Sequence, residues 1–268
     1  MPELPEVEVV RRQLEPVWVG RRIVSVWTAK PSYFFVTPPK RLGRALEGRK
    51  TTALTRHGKY ILAELDDDSR LLCHLGMTGQ ISSRPLERDG HVHLVLGLSG
   101  GRLITFRDVR KFGKVEWIAP GATSGRLDKL GPDALEADWK TLELGFAGRR
   151  VAVKSALLDQ SVLAGVGNIY ADEALFAARV APTRAASSLS PGELRKLARE
   201  VRAILERSVA HGGSTINDYV QPDGELGGFQ DWHRVYGRTN EPCPRCRQPI
   251  ARLVLGGRSS HFCPNCQK

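Results

Sequence analysis

The residue types that chemistry needs lie at the two ends of this 268-residue chain. Near its start, Pro2 is followed by Glu3 and Glu6; near its end, Cys243-Pro-Arg-Cys246 and Cys263-Pro-Asn-Cys266 are separated by sixteen residues. A small second residue permits removal of the initiator methionine, which would leave Pro2 with a free secondary amine. A terminal amine titrates near 8, against about 10.4 for lysine, so a useful fraction is neutral and nucleophilic at physiological pH. Condensed with an aldehyde carbon, a secondary amine has no proton to lose. It stays a cationic iminium, an electron sink that acidifies the neighbouring carbon. Taken alone, Pro2 reads as a processed N-terminus, and glutamates in a first helical turn read as dipole partners. A carboxyl within one turn of such an amine can also serve as its proton donor.

The four cysteines have the spacing of a zinc ribbon, in which two Cys-x2-Cys knuckles present four thiolates tetrahedrally. With every ligand a protein atom, no position is left for water or substrate, so the expected zinc is structural and there is one per chain. Two disulfides are the poorer reading, because the start Met-Pro-Glu-Leu-Pro-Glu is acidic where an export signal is basic. A reducing, intracellular compartment is expected, with the fifth cysteine, Cys73, a small buried apolar residue.

Charge names the partner class. The chain has 40 Lys plus Arg against 29 Asp plus Glu, and seven of the basic residues fall between Arg234 and Lys268 beside a single acid, Glu241. Clustering of this kind suits a polyanion, and nucleic acid leads, since each neutralised phosphate releases counterions. No run approaches the roughly 20 apolar residues of a membrane-spanning helix.

These groups need a scaffold. Leu4, Val7, Val10 and Leu14 share a helical face, with Pro5 in the first turn and Pro16 expected to stop the helix. The period then becomes two. Runs beginning at Arg22, Tyr60, Arg70, His91, Arg102 and Lys114 are short, β-rich and separated by turn residues, which predicts a sandwich or barrel-like sheet domain ending near Pro120–Gly125. From about Pro132 the pattern is helical. Ser190-Pro-Gly-Glu193 is a capping box that opens a helix with Leu194, Leu197, Ala198, Val201, Ile204, Leu205 and Val209 on one face, ending at His211-Gly-Gly. Before it, two helical stretches flank Ala164-Gly-Val-Gly-Asn168, where Asn168 is placed to cap the second helix. Free amides at a helix start also attract phosphate. The expected fold class is α+β and multidomain: a helix plus β-sandwich over 1–130, a helix-two-turn-helix domain over 131–233, and a zinc ribbon over 234–268.

Taken together, the motifs resemble the bacterial formamidopyrimidine-DNA glycosylase family. They run in one order from end to end: Pro2-Glu-Leu-Pro-Glu-Val-Glu8, Arg56-His-Gly-Lys-Tyr60, His74-Leu-Gly-Met-Thr-Gly79, Asp108-Val-Arg-Lys-Phe-Gly113, Leu158-Asp-Gln160, Gly165-Val-Gly-Asn-Ile-Tyr-Ala171, Val235-Tyr-Gly-Arg238 and the ribbon. The resemblance implies a bifunctional glycosylase and abasic-site lyase of base excision repair. Such an enzyme excises 8-oxoguanine and formamidopyrimidines through an N-terminal proline iminium and then cuts by β,δ-elimination. It further implies damaged double-stranded DNA as partner, a monomer, and a cytoplasmic, nucleoid-associated location in a bacterium.

Carried onto this sequence, the resemblance makes Pro2 the nucleophile at C1′ and Glu3 the proton donor, with Glu6 ordering the site. Lys59 would transfer protons in β-elimination, and Arg258 would serve δ-elimination and a phosphate. Met77, Arg110 and Phe112 would fill the gap left by a flipped-out nucleotide. His91, Arg149, Lys154, Asn168 and Arg258 would grip phosphates, which fixes register without reading sequence. The segment from Ser214 to Phe229 would cover the lesion. One departure is Val109, where the family often has proline, which puts the rigidity of the Arg110 loop in question. An endonuclease VIII-like enzyme for oxidised pyrimidines is the nearest alternative, disfavoured by Leu4 and by the Met77, Arg110, Phe112 set. A zinc-ribbon DNA-binding protein without catalysis is the alternative of another class.

Overall fold

The computed structural model describes residues 1–86 and 89–268, which form two compact units. The first comprises Met1–Asp128 and His211–Gly228; the second comprises Lys129–Ala210 and Phe229–Lys268. Residues 211–228, expected from the sequence to belong with the helical segment, thus group with the first unit. Their anchor is Tyr219, which is buried in that unit's core.

In the first unit, helix α1 (Leu4–Trp18) precedes eight antiparallel strands: β1 (Ile23–Thr28), β2 (Thr51–His57), β3 (Tyr60–Leu65), β4 (Arg70–His74), β5 (Gly79–Ser82), β6 (Val92–Leu98), β7 (Arg102–Asp108) and β8 (Lys114–Ile118). Helix α2 (Pro39–Leu46) lies between β1 and β2 in sequence. The strands form two four-stranded sheets, ordered β1-β6-β7-β5 and β2-β3-β4-β8. Their apolar faces share one core, with Leu94, Leu96, Ile104 and Phe106 from one sheet and Leu54, Ile61, Leu71 and Val115 from the other. Val7, Val10, Leu14 and Trp18 of α1 enter the same core. This is the expected sandwich. Pro16, however, does not stop α1: the helix runs on to Trp18, which is 1% exposed. A proline in the last turn disturbs little of the backbone ladder, and burial of the indole favours continuing. Cys73 is buried as expected, and burial pushes its thiol up to about 12, so it stays protonated.

The second unit carries helices α3 (Trp139–Phe146), α4 (Val153–Leu158), α5 (Asn168–Ala178) and α6 (Pro191–Ala210), then the hairpin β9 (Ala251–Leu255) and β10 (Arg258–Phe262). The capping box of α6 forms as expected: Glu193 Oε2 accepts the Ser190 amide at 2.8 Å, and Ser190 Oγ accepts the Glu193 amide at 3.3 Å. Between α4 and α5 the Gln160 side chain braces the connection, accepting Gly165 N–H at 3.0 Å and donating to the Leu158 and Val166 carbonyls at 2.9 Å each. The cap of α5 differs from expectation. Gly167 is the N-cap residue and Asn168 is the first residue of the helix. No helix among the described residues is long and apolar enough to cross a membrane.

Candidate active site and nucleic-acid interface

At the start of α1, Glu3 is the N-cap residue and is 3% exposed; Pro2 before it is buried, while Met1 is half-exposed. Glu6, 1% exposed, joins two segments with one carboxylate. Its Oε2 accepts the Glu3 amide at 2.8 Å and its Oε1 accepts the Ser214 amide at 2.8 Å. Gly213 makes this approach possible. Its φ is +80°, and a Cβ there would lie 2.9 Å from Glu6 Oε1. Thr215 and Tyr219 extend the anchorage, with Thr215 Oγ1 donating to the Tyr219 carbonyl at 3.0 Å and accepting Gly227 N–H at 2.8 Å. The segment is thus tied at its base to the N-cap of α1, while Ile216 and Leu226 are exposed.

Lys59 sits in the two-residue turn between β2 and β3, where His57 pairs with Tyr60, and is 7% exposed. Near it, the His74 ring stacks on Tyr60 with centroids 4.6 Å apart, and His74 Nδ1 accepts Gly76 N–H at 3.2 Å. Burial, reinforced by the nearby cations Lys59, Arg126 and Lys114, lowers the imidazole to about 4, so it is neutral at physiological pH.

Met77, Arg110 and Phe112 lie on two loops of the first unit, and all three are exposed. The Arg110 guanidinium lies over the Phe112 ring, 4.6 Å from its centroid. Gly76, with φ +66°, packs so closely that a Cβ there would stand 2.5 Å from Gly113 N, which brings the two loops together. The organiser is Asp108, fully buried and not singled out as a site residue from sequence. Its carboxylate accepts Thr78 Oγ1–H at 2.5 Å, Arg110 N–H at 3.2 Å and Gly113 N–H at 2.7 Å. The loop carrying Arg110 is therefore held by the Asp108 carboxylate through the amides that follow Val109 and Phe112, although residue 109 is not a proline. His91, on the segment entering β6, is partly exposed, and its amide donates to Asp89 Oδ1 at 3.0 Å.

In the second unit, Arg258 is exposed and opens β10 opposite Leu255. The intervening Gly256 and Gly257 have φ of +53° and +76°, as a tight hairpin of the primed type requires. Arg149 is half-exposed and paired with Asp159 at 2.8 Å. Asn168 donates from Nδ2 to Ser259 Oγ at 3.3 Å, while its Oδ1 is buried and has no hydrogen-bond partner among the described residues. Lys154 departs from the expectation of a direct phosphate contact. It is 0% exposed, pairs with Asp172 at 2.6 Å, and donates to the Ser259 carbonyl at 2.6 Å. Asp172 also accepts from His261, from the backbone N–H at 2.9 Å and at the ring Nδ1 at 3.0 Å. A buried ammonium requires such a partner, and the result is a charged joint that fastens β10 to α4 and α5. No local sequence signal marks Asp172 as that partner.

The sulfur atoms of Cys243, Cys246, Cys263 and Cys266 all lie within 4.8 Å of one another. A tetrahedron with Zn–S of about 2.3 Å places sulfurs roughly 3.8 Å apart, and the Cys243–Cys266 separation is 3.9 Å. The donor set and spacing fit one structural zinc. Cys243 and Cys263 are fully buried and pack with Phe176 of α5, Val235 and Ile250.

Comparison with known proteins gives three consecutive family matches: the formamidopyrimidine-DNA glycosylase N-terminal domain over residues 1–115, the formamidopyrimidine-DNA glycosylase H2TH domain over 130–220, and a zinc finger found in FPG and IleRS over 240–268. The chain is 46% identical, over the full length of both, to the formamidopyrimidine-DNA glycosylase of Paracoccus denitrificans. It is 42% identical, again over both full lengths, to that of Desulfitobacterium hafniense. Among solved structures, MutM (Fpg) from Thermus thermophilus matches with a TM-score of 0.88 at 41% identity, covering 99% of this chain and 98% of that one. A mutant Lactococcus lactis Fpg in complex with a Fapy-dG containing DNA matches with a TM-score of 0.89 at 35% identity over the whole of both chains.

Proposed function

Because this chain belongs to the formamidopyrimidine-DNA glycosylase family and is a DNA glycosylase of base excision repair, we propose that it removes oxidised purines through an iminium on Pro2 and then cuts the strand. The substrates are 8-oxoguanine and ring-opened formamidopyrimidines in duplex DNA. The observation that carries the reading is the buried start of α1, where Glu3 caps the helix beside Pro2 and Glu6 holds the Glu3 amide at 2.8 Å.

Removal of Met1 frees the Pro2 amine, which attacks C1′ while Glu3 delivers a proton to the sugar ring oxygen, so that the ring opens. Departure of the base from the opened sugar then leaves C1′ as the iminium carbon. The adjacent 2′ proton is then acidic; its loss expels the 3′ phosphate, with Lys59 moving protons in this β-elimination. A second elimination expels the 5′ phosphate, assisted by Arg258. Met77, Arg110 and Phe112, exposed on paired loops, fill the gap left by the flipped nucleotide, an extrusion costing a few kcal/mol. His91, Arg149, Asn168 and Arg258 hold the DNA backbone, and Lys154 serves this grip from within, bracing the strand that carries Arg258. Residues 1–128, with the segment 211–228 that groups with them, act as the catalytic domain, and 129–210 and 229–268 supply the helical and ribbon DNA-binding elements. The enzyme works as a monomer on cytoplasmic, nucleoid DNA.

Single-turnover rates on duplexes with 8-oxoguanine opposite cytosine and with thymine glycol test the substrate class. Faster excision of the purine is expected, and the reverse order would favour the endonuclease VIII-like reading. Arg258→Ala is expected to weaken binding to lesion-bearing and plain duplex alike and to reduce the salt slope by roughly 0.9, the loss of one phosphate contact. A titration at several salt concentrations checks this, and an unchanged slope would remove that role.

A further inference from the structure

We infer that the Glu8–Arg56 pair sets the position of Lys59 relative to the nucleophile-bearing helix, which makes Arg56 a positioning residue for the step that the lysine serves. The inference rests on the role proposed above for Lys59. Both side chains are nearly inaccessible, with Arg56 at 7% and Glu8 at 9% exposure. Arg56 Nε donates to Glu8 Oε2 at 3.0 Å, and Arg56 Nη1 donates to the Gly58 carbonyl at 2.9 Å. That carbonyl belongs to the peptide leading directly into Lys59. Gly58 has φ +56° and is the first central residue of the two-residue turn, so rotation of this peptide would swing the Lys59 side chain away. Arg56 holds the plane still.

The other end of the pair lies on α1, five residues beyond Glu3. Glu8 also accepts from Arg12 Nε at 2.7 Å and from Arg11 Nε and Nη2 at 3.2 and 3.1 Å. Burial alone would raise the Glu8 carboxyl, but the guanidinium hydrogen bonds outweigh it and hold the group below the usual carboxylate range. Arg11 reaches across to the Leu54 carbonyl on β2 at 3.3 Å, giving a second tie between the helix and the same strand. A buried ion pair adds little net stability over an apolar replacement, whereas it can fix one register between two elements. Here the elements are helix α1, which follows Pro2 and Glu3, and the β2–β3 hairpin whose turn carries Lys59. A displacement of about 1 Å in a reacting group can cost on the order of 100-fold in rate.

A double-mutant cycle tests the coupling, with strand cleavage at a preformed abasic site measured in single turnover for wild type, Arg56→Gln, Lys59→Ala and the double variant. Arg56→Gln is expected to slow cleavage by about 10–100-fold, and the double variant to be no slower than Lys59→Ala alone. Arg56→Lys keeps the charge but cannot serve both acceptors as a planar fork does, so an intermediate rate is expected; it also tests the idea should the glutamine variant fail to fold. Additive losses in the cycle, or wild-type rates for both Arg56 variants, would overturn this inference alone. A Lys59→Ala enzyme cleaving at the wild-type rate would overturn the reading of Lys59 and the inference with it.

Discussion

Glu3→Gln is expected to slow base excision by a factor of about 10²–10⁴, the range in which a positioned general acid contributes, while duplex affinity stays unchanged. The substitution is nearly isosteric at a side chain that is 3% exposed, and it leaves the backbone amide that Glu6 accepts. The helix start therefore keeps its shape and loses only the transferable proton. Single-turnover release of 8-oxoguanine measures the effect, and duplex titration confirms that binding survives. Excision within about tenfold of wild type would fall below the contribution of a general acid and would place the proton donor elsewhere.

Removal of zinc is expected to abolish duplex binding. Metal ligation of a four-cysteine site contributes roughly 10–16 kcal/mol at neutral pH in isolated fingers, and a segment of this size buries too little apolar surface to fold without it. Here the apolar cluster around the ribbon consists largely of the cysteines themselves, with Phe176, Val235 and Ile250. Losing the metal loosens that cluster and the β9–β10 hairpin that presents Arg258. Chelation under mild denaturant, followed by metal analysis and duplex titration, checks the claim; Cys263→Ala should behave the same way. Tight duplex binding by protein shown to be metal-free would contradict it.

Features written in short-range chemistry were legible from sequence. The cysteine spacing implied the four-sulfur cluster, and Ser190 with Glu193 implied the start of α6, because in each case the interacting groups lie within a few residues or follow a fixed ligand geometry. Strand β2 was not anticipated: Thr51–His57 is polar and only partly buried, so alternation is faint. Long-range partners were hidden for another reason. Lysine is seldom buried, so nothing local in the sequence indicates that Lys154, expected to grip a phosphate, is instead enclosed with Asp172 and the Ser259 carbonyl. The anchoring of 211–228 on the first unit rests on contacts between residues far apart in sequence, such as Ser214 N–H to Glu6, 208 apart, and Gln80 to the Asp218 carbonyl, 138 apart. The one-residue slip at the start of α5 shows the same limit on a smaller scale: both Gly167 and Asn168 are acceptable cap residues, and packing decides between them.

If Pro2 is the nucleophile, borohydride reduction traps it on the damaged sugar. Protein verified to begin at Pro2 is incubated with a duplex containing 8-oxoguanine opposite cytosine, reduced, digested, and the DNA-linked peptide identified by mass. A covalent adduct on the N-terminal peptide, at the proline nitrogen, is expected. No adduct, or one carried by an internal lysine, would contradict that role of Pro2.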